Sequence, residues 1–228
     1  MQTPEHARTR RRFLAGSAAA GVAGLAGCGA LNANESAPDT ETPGDSGTDE
    51  ERPTEAADTL PAPSLGPEDA PVTVLAFEDY ACPHCREYSL EVFPEIKSEY
   101  VDSGDVYYEF HDLPIPVTEQ SEPAASAARA VQDTVGVEAF WTYSKSLFEN
   151  QNSLGPDTYA DLAAAVGADP ETVRTAAVER RYADTVQADR AAGIERGISG
   201  TPGIIVDGGD PLGSYAVETV TGAIEDAL

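Results

Sequence analysis

Basic residues, cysteine and long apolar runs are all scarce in this sequence. Of its 228 residues, 14 are lysine or arginine and 40 are aspartate or glutamate, giving a formal net charge of −26 at pH 7. So negative a chain is not expected to bind nucleic acid, because contacts with a phosphate backbone depend on basic side chains. Only Lys97 and Lys145 are lysines. Dense carboxylates with little lysine are typical of proteins in concentrated salt, which screens their repulsion, so we expect a halophile's protein.

The N-terminus contains an uncharged stretch, Phe13 to Gly27, that is too short to span a bilayer, since spanning takes about 20 apolar residues. Arg10 and Arg11 precede it in "TRRRFLAG", which resembles a twin-arginine export signal. The stretch ends in "LAGC", which resembles a lipobox, whose cysteine becomes the lipid-bearing first residue after processing. An ordinary cleavage site with an unmodified Cys28 is the alternative.

These features predict three regions. Residues 1–27 are expected to be the signal peptide. Residues 28–66 are expected to be the lipidated Cys28 and an acidic linker, rich in Pro, Ser, Thr, Asp and Glu, with too few apolar residues to order itself. Residues 67–228 are long enough for one well-buried domain. A lipid on Cys28 would anchor the protein to the outer face of the cell membrane.

If Cys28 bears lipid, one pair of cysteines remains, Cys82 and Cys85 in "EDYACPHCREY". A structural zinc site usually needs four ligands, and residues 67–228 add only His84 and His111. A structural disulfide across so short a loop removes little chain entropy. We therefore expect no metal and no cofactor, and a pair that exchanges electrons.

The apolar pattern predicts a buried strand at 71–78 and then a helix over 82–100, kinked at Pro94. The remaining predicted elements are a strand at 105–111, a helical block over about 117–197, a strand at 203–208 that forms a hairpin with "LGSYA", and a C-terminal helix. This order has the outline of an α/β thioredoxin fold with an inserted helical domain.

A position at the helix N-terminus favours the thiolate of Cys82, because unpaired backbone N–H groups and the helix dipole attract an anion. His84 adds a donor or a positive charge, and such sites have thiol pKa values of about 3.5 to 7.5, against about 8.5 for free cysteine. Stabilising the reduced form makes the disulfide more oxidising. Cys85, one turn on, is expected to be the buried resolving thiol, and Pro83 needs no N–H partner in the first turn.

A second motif, "ISGTPGIIVDG", places Thr201 and Pro202 directly before a strand. We expect a cis peptide bond here, opposite the cysteines, with an ordinary trans turn as the alternative. The backbone of Thr201 would then be free to pair with an extended substrate segment. Outside these motifs, three aromatic residues are expected to pack within a helix rather than to bind a ligand: Trp141, Tyr143 and Phe148. His111 is expected to be a surface or packing residue.

Three segments together resemble the DsbA-like thiol–disulfide oxidoreductases: "APVTVLAFEDYACPHC", "FWTYSKSLFENQ" and "GISGTPGIIVDG". The resemblance implies a redox-active Cys82–Cys85 disulfide, with Cys82 as the exposed, attacking cysteine and Pro202 as the cis-proline. Many family members have an acid six residues before the first cysteine, where this chain has Ala76. Glu78, two residues on and on the same side of the strand, is the candidate to assist proton transfer, and Asp79 is the other; the alternative is that both are solvated acids.

The expected function is that of a haloarchaeal, exported, lipid-anchored oxidoreductase that forms disulfides in extracytoplasmic proteins. The expected partners are reduced or misoxidised proteins, and a membrane redox partner that accepts the electrons. Three alternatives stay open: a disulfide reductase or isomerase of the same fold, a lipoprotein that handles copper or zinc through its two cysteines, and a binding module whose cysteines are inert.

Overall fold

In the computed structural model, which describes residues 59–228, four strands form one sheet in the order β1-β3-β2-β4. The strands are β1 (Ser64–Leu65), β2 (Val72–Glu78), β3 (Val106–Asp112) and β4 (Gly203–Val206). β2 and β3 are parallel, whereas β1 pairs with β3 and β4 pairs with β2 in antiparallel fashion. The expected strands at 71–78, 105–111 and 203–208 are therefore confirmed.

The central strand β2 is buried on both faces because helices cover both sides of the sheet. Val72, Val74 and Ala76 contribute to one apolar cluster, and Phe77 packs in a second cluster with Leu113 and Ile205. A continuous β-branched and apolar run is what such a strand requires. The core thus fixes the position of the residues that follow Phe77.

A continuous helical segment follows β2, and its geometry is less regular than predicted. It consists of α1 (Pro83–Glu87), a π-helical turn (Tyr88–Val92), α2 (Phe93–Ile96) and a second π-helical turn (Lys97–Val101). The first wide turn comes just before Pro94, and the Phe93 N–H donates to the Tyr88 carbonyl, five residues back. A π turn accommodates Pro94, which cannot donate a helical hydrogen bond.

The inserted helical domain is confirmed between β3 and β4. Its helices within the described residues are α3 (Ser121–Thr134), α4 (Val137–Glu149), a 3₁₀ turn (Gln151–Ser153), α5 (Pro156–Ala165), α6 (Pro170–Glu179) and α7 (Ala183–Glu195). Alanines make much of the buried face of α3, which lets neighbouring helices approach closely. Tyr143 and Phe148 are fully buried, as expected. Trp141 is half-buried and donates its Nε1–H to the Ser64 carbonyl at 3.2 Å.

The expected hairpin after β4 is wrong. The segment "LGSYA" forms no strand; its one backbone hydrogen bond to β4 runs from the Leu212 N–H to the Ile204 carbonyl at 2.8 Å. Pro211 has no N–H, so a ladder cannot continue there. α8 (Val217–Ala227) closes the chain as predicted.

The domain also starts earlier than residue 67. The Leu60 N–H donates to Thr185 Oγ1 at 3.1 Å, the Pro63 carbonyl accepts from the Phe110 N–H at 2.9 Å, and β1 follows. The end of the predicted linker is therefore part of the fold. The predicted signal peptide, Cys28 and the rest of the predicted linker lie outside the described residues.

A buried cluster of ions connects this first segment to the sheet and the helices. Arg129 donates to Asp112 Oδ2 at 2.6 Å, to Asp189 Oδ2 at 2.5 Å and to the Pro61 carbonyl at 3.2 Å. His111 joins the cluster through Asp189 and stacks on Phe77, which confirms its packing role. Burial lowers the pKa of His111, but the hydrogen bonds to its two carboxylate neighbours outweigh burial and raise the pKa to about 9.

Within residues 59–228, no helix is both long and apolar enough to cross a membrane.

Candidate active site

The turn that joins β2 to α1 is held by the carboxylate of Asp79. Asp79 Oδ1 accepts from the Ala81 N–H at 2.8 Å, and Oδ2 accepts from the Ile115 N–H at 2.9 Å. The Asp79 carbonyl accepts from the Cys82 N–H at 2.9 Å. Asp79 thus fixes the backbone just before the cysteine, and burial raises its pKa to about 6. Its contacts are those of a residue that shapes the turn.

Cys82 occupies the N-cap position of α1, as the sequence predicts. Its backbone is extended (φ −81°, ψ 122°), and Pro83 begins the helix. Proline suits this position because its fixed φ is helical and no N–H partner is required. The first turn contains no acidic residue, although the chain as a whole is strongly acidic. The N–H groups of this turn therefore face Cys82 without a competing carboxylate on the same turn.

The two thiols, both free in the structure, differ sharply in acidity. The pKa of Cys82 is lowered to about 5, first by the hydrogen bond from the Cys85 thiol and then by the backbone N–H groups of Cys85 and His84. Burial raises the pKa of Cys85 well above its usual value, and so does the hydrogen bond to Cys82. At neutral pH, Cys82 is a thiolate and Cys85 is a protonated thiol.

The exposure of the pair only partly agrees with the sequence expectation. Cys85 is fully buried, as expected of a resolving thiol, and its sulfur accepts from the Asp79 N–H at 3.3 Å. Cys82 was expected to be exposed, but only 4% of it is accessible. Cys82 is less exposed than expected because the loop before β4 covers one side of its sulfur.

That loop contains Thr201 and Pro202, joined by a cis peptide bond, as predicted. The Thr201 carbonyl oxygen lies 3.5 Å from Cys82 Sγ. The Thr201 hydroxyl is buried and has no hydrogen-bond partner within the described residues. The sheet order explains the meeting of the two motifs, since Gly203 in β4 pairs with Phe77 near the end of β2.

Glu78, the candidate proton-transfer residue, is buried behind the cysteines. Only 2% of it is accessible, and Ser89 donates a hydrogen bond to its Oε2 at 2.6 Å. Burial, and secondarily the charges of Cys82 and Asp112, raise its pKa to about 8 in spite of that hydrogen bond. A cavity of about 30 Å³ separates Glu78 and Ser89 from Lys145. This volume is enough for a water molecule.

The imidazole of His84 points away from the protein core, and 67% of the side chain is exposed. Its Nδ1 lies 2.8 Å from the hydroxyl of Tyr215. The backbone N–H of His84, rather than its ring, is among the groups that lower the pKa of Cys82.

Gln151 is a site residue that the sequence analysis did not single out. Its Nε2 donates to the Tyr80 carbonyl at 2.8 Å and to the Cys82 carbonyl at 2.9 Å. Gln151 thereby fastens the cysteine turn to the inserted helices. Only the proximity of residues 69 positions apart in sequence reveals this contact.

This arrangement is suited to the exchange of a disulfide between proteins. A stabilised thiolate can attack or leave, a buried thiol one helical turn away can resolve a mixed disulfide, and a cis-proline loop forms the opposite wall. Within residues 59–228, no group of three or more His, Cys, Asp and Glu side chains is placed to hold a metal ion. The fold and the site define a DsbA-like thiol–disulfide oxidoreductase.

Known proteins support this class. A family profile described as Thioredoxin matches residues 58–226. Disulfide bond formation protein D of Bacillus subtilis is 31% identical over 153 residues, covering 64% of this chain and 67% of that protein. The crystal structure of oxidised BdbD from Bacillus subtilis has a TM-score of 0.68 and 30% identity, covering 73% of this chain and 92% of that one.

A longer protein also contains a similar region. Na(+)/H(+) antiporter NhaA 3 of Salinispora tropica is 30% identical over 163 residues, which are 72% of this chain but only 24% of that protein. The chain thus spans about two thirds of one relative and about a quarter of the other. With the profile match over most of its length, the chain belongs to the thioredoxin family.

The acidity of Cys82 can be measured directly. In the reduced protein, alkylation of Cys82 should be fast at pH 7 and should fall to half its maximal rate near pH 5, because only the thiolate reacts. Cys85 should remain unmodified at pH 7. Mass spectrometry of the proteolytic peptides separates the two cysteines from Cys28. A midpoint for Cys82 near 8.5, the value of a free thiol, would contradict the assignment.

Proposed function

We propose that this protein oxidises thiols in extracytoplasmic proteins, donating its Cys82–Cys85 disulfide to them. The supporting observation is the difference between the two thiols: Cys82 has its pKa lowered to about 5, and Cys85 stays protonated. A thiolate that is stabilised only in the reduced form favours reduction of the protein's own disulfide. Such a protein passes its disulfide to clients.

The proposed reaction has two steps. A client thiolate attacks Cys82 of the disulfide, forming a mixed disulfide, and the Cys82–Cys85 bond breaks so that the sulfur of Cys85 leaves and takes up a proton. A second client thiolate then attacks the client sulfur of the mixed disulfide. The client disulfide forms, and Cys82 leaves as the stabilised thiolate. Two electrons have passed from the client to the protein.

Glu78 is proposed as the donor of the proton that Cys85 takes up. The sulfur of Cys85 is fully buried, so a thiolate there is costly, and Glu78 lies within electrostatic range of it. With a pKa of about 8, Glu78 is protonated at neutral pH and has a proton to give. Ser89 lines both the small cavity beside Glu78 and a surface groove of about 520 Å³. Ser89 therefore offers the carboxyl group of Glu78 a route to solvent.

The location of the reaction is proposed from the N-terminal sequence. The twin-arginine motif and the lipobox support export and lipidation of Cys28, which would hold the domain at the outer membrane face through an acidic linker. The membrane anchor also keeps the protein close to a membrane redox partner, which we propose reoxidises the pair.

The charge of −26 with only two lysines supports a haloarchaeal, high-salt setting. Disulfide bond formation is the role in the name of the Bacillus subtilis relative.

The redox equilibrium tests the direction of electron flow. The protein is equilibrated with mixtures of reduced and oxidised glutathione, and the Cys82–Cys85 disulfide is quantified by mass spectrometry. An oxidase should have a potential well above that of thioredoxin, about −270 mV, towards that of DsbA, about −120 mV. A value at or below that of thioredoxin would favour the reductase alternative.

In the organism, Cys85→Ser should accumulate mixed disulfides between Cys82 and client proteins, and Cys82→Ser, the matched control, should not.

Replacing Glu78 tests the proton transfer. Glu78→Gln keeps the size and the hydrogen bond from Ser89 but has no proton to donate, so the reduction of the protein's disulfide by a client thiol should slow about tenfold or more at pH 7. The pKa of Glu78 is raised on folding, so its contribution to stability is present below about pH 4.5 and lost as pH rises through about 8. The variant should therefore lose less stability than the wild type across that range. Glu95→Gln, an exposed residue of the same helical segment, is the control; equal rates in all three proteins would exclude the role.

Replacing Cys28 tests the anchor. Cys28→Ser, expressed in the native organism, should appear in the medium rather than in the membrane fraction, since serine cannot accept the lipid. Cys82→Ser should stay with the membrane and serves as the control for effects of cysteine loss. Unchanged retention of Cys28→Ser would rule out lipidation as the anchor.

A further inference from the structure

A pocket of about 450 Å³ lies between the loop that follows β3 and the inserted helices. It is lined by Ile115 of that loop, by Ser121 and Glu122 at the start of α3, by Arg180 directly after α6 and by Arg190 of α7. This volume is within the usual range for a ligand pocket, about 300 to 1,000 Å³. The steps of the proposed reaction involve none of these residues.

The pocket adjoins the turn that carries the reactive cysteine. The Ile115 N–H donates to Asp79 Oδ2 at 2.9 Å, and the Asp79 carbonyl accepts from the Cys82 N–H at 2.9 Å. Only Asp79 therefore separates the wall of the pocket from Cys82 along this path. An extended chain advances about 3.3 Å per residue, so a client bonded to Cys82 has residues within reach of the pocket a few positions from its own cysteine.

One arginine of the pocket has no ionic partner. Arg180 pairs with Glu122 at 3.1 Å, whereas Arg190 forms no ion pair with any of the residues from 59 to 228. Glu119, which also lines the pocket, is exposed and leaves Arg190 unpaired. In a chain with 40 aspartates and glutamates, Arg190 thus offers a guanidinium that its own protein does not neutralise.

A second donor in the pocket is also unused. Ser121 is only 4% exposed, and its hydroxyl makes no hydrogen bond with the described residues. A guanidinium has donors only and a hydroxyl can donate, so the complementary group is one with acceptor oxygens, and a carboxylate meets both requirements. Pro114, Ile115 and Pro116 add an apolar wall against which the methylene groups of such a side chain can pack.

Concentrated salt makes direct contact the only effective form of charge recognition. The screening length is about 3 Å at 1 M salt, so a negative protein neither repels nor steers an acidic client over a distance. A guanidinium and a carboxylate that touch within a pocket are screened much less, and their hydrogen bonds are charge-assisted.

We propose that this pocket binds an acidic side chain of the client, a few residues from the client's reacting cysteine, with Arg190 pairing with the carboxylate. The identity of the bound segment as a client rests on the proposed oxidase function. The pocket would select, among exported thiols, those that lie in acidic segments. Arg190 is then a specificity-determining residue outside the cysteine turn.

The test uses two peptides with a single cysteine, flanked on both sides by glutamates in one and by glutamines in the other. The rate at which each peptide thiol attacks the oxidised protein is measured in concentrated KCl, and the two rates are expressed as a ratio. In Arg190→Gln the ratio of the glutamate to the glutamine peptide should fall about threefold to tenfold from its wild-type value. Comparing ratios between proteins cancels the effect of the glutamates on the peptide's own thiol.

Arg181→Gln is the matched control, because it removes the same charge from an exposed arginine that does not line the pocket. It should keep the wild-type ratio. An unchanged ratio in Arg190→Gln, or an equal fall in both variants, would overturn the proposal.

Binding of serine analogues of the two peptides separates the pocket from the redox reaction. In ¹H–¹⁵N spectra of the wild type, the amide signals of Ile115 and Ser121 should shift with the glutamate analogue and not with the glutamine analogue. Equal shifts with both analogues would count against the pocket whatever the exchange rates are. A protein that reacts with neither thiol peptide but still discriminates between the analogues would contradict the oxidase function and support the pocket.

Discussion

The active site depends on a stabilised thiolate at the start of α1 in a chain crowded with carboxylates. Glu78 and Asp79 directly precede the cysteine turn, and as anions they would raise the pKa of Cys82. Burial raises the pKa of both acids, and that of Glu78 reaches about 8. The carboxyl of Glu78 is therefore neutral when Cys82 is a thiolate. Burial at the end of β2 thus prevents Glu78 from adding a negative charge beside the thiolate.

Three separate parts of the chain meet around this charge. The β2–α1 turn supplies the sulfur and the helix N-terminus, the loop before β4 supplies Thr201 and Pro202, and the inserted helices supply Gln151. The antiparallel pairing of β4 with β2 is the reason that the cis-proline faces Cys82. The inserted domain is thus a structural part of the site, since Gln151 bonds the carbonyl of the reactive cysteine.

The parts of the site that sequence could predict are those fixed by near neighbours in the chain. A strand followed by C-P-H-C specifies a helix N-terminus, and T-P before a strand suggests the cis bond. Gln151 was missed because its role arises from a contact across 69 positions. β1 was missed because it has two residues in a proline-rich segment and is stabilised by β3 and Arg129. The expected hairpin failed for the opposite reason, since a local apolar pattern was given more weight than Pro211.

The acidity of Cys82 accounts for only part of an oxidising potential. Thioredoxin has a reactive thiol of pKa about 7, and lowering that value to about 5 stabilises the reduced form at pH 7 by about 2 kcal/mol. This is equivalent to about 50 mV, one third of the roughly 150 mV between thioredoxin and DsbA. A potential as high as that of DsbA would therefore require other groups that stabilise the dithiol relative to the disulfide, beyond the acidity of Cys82.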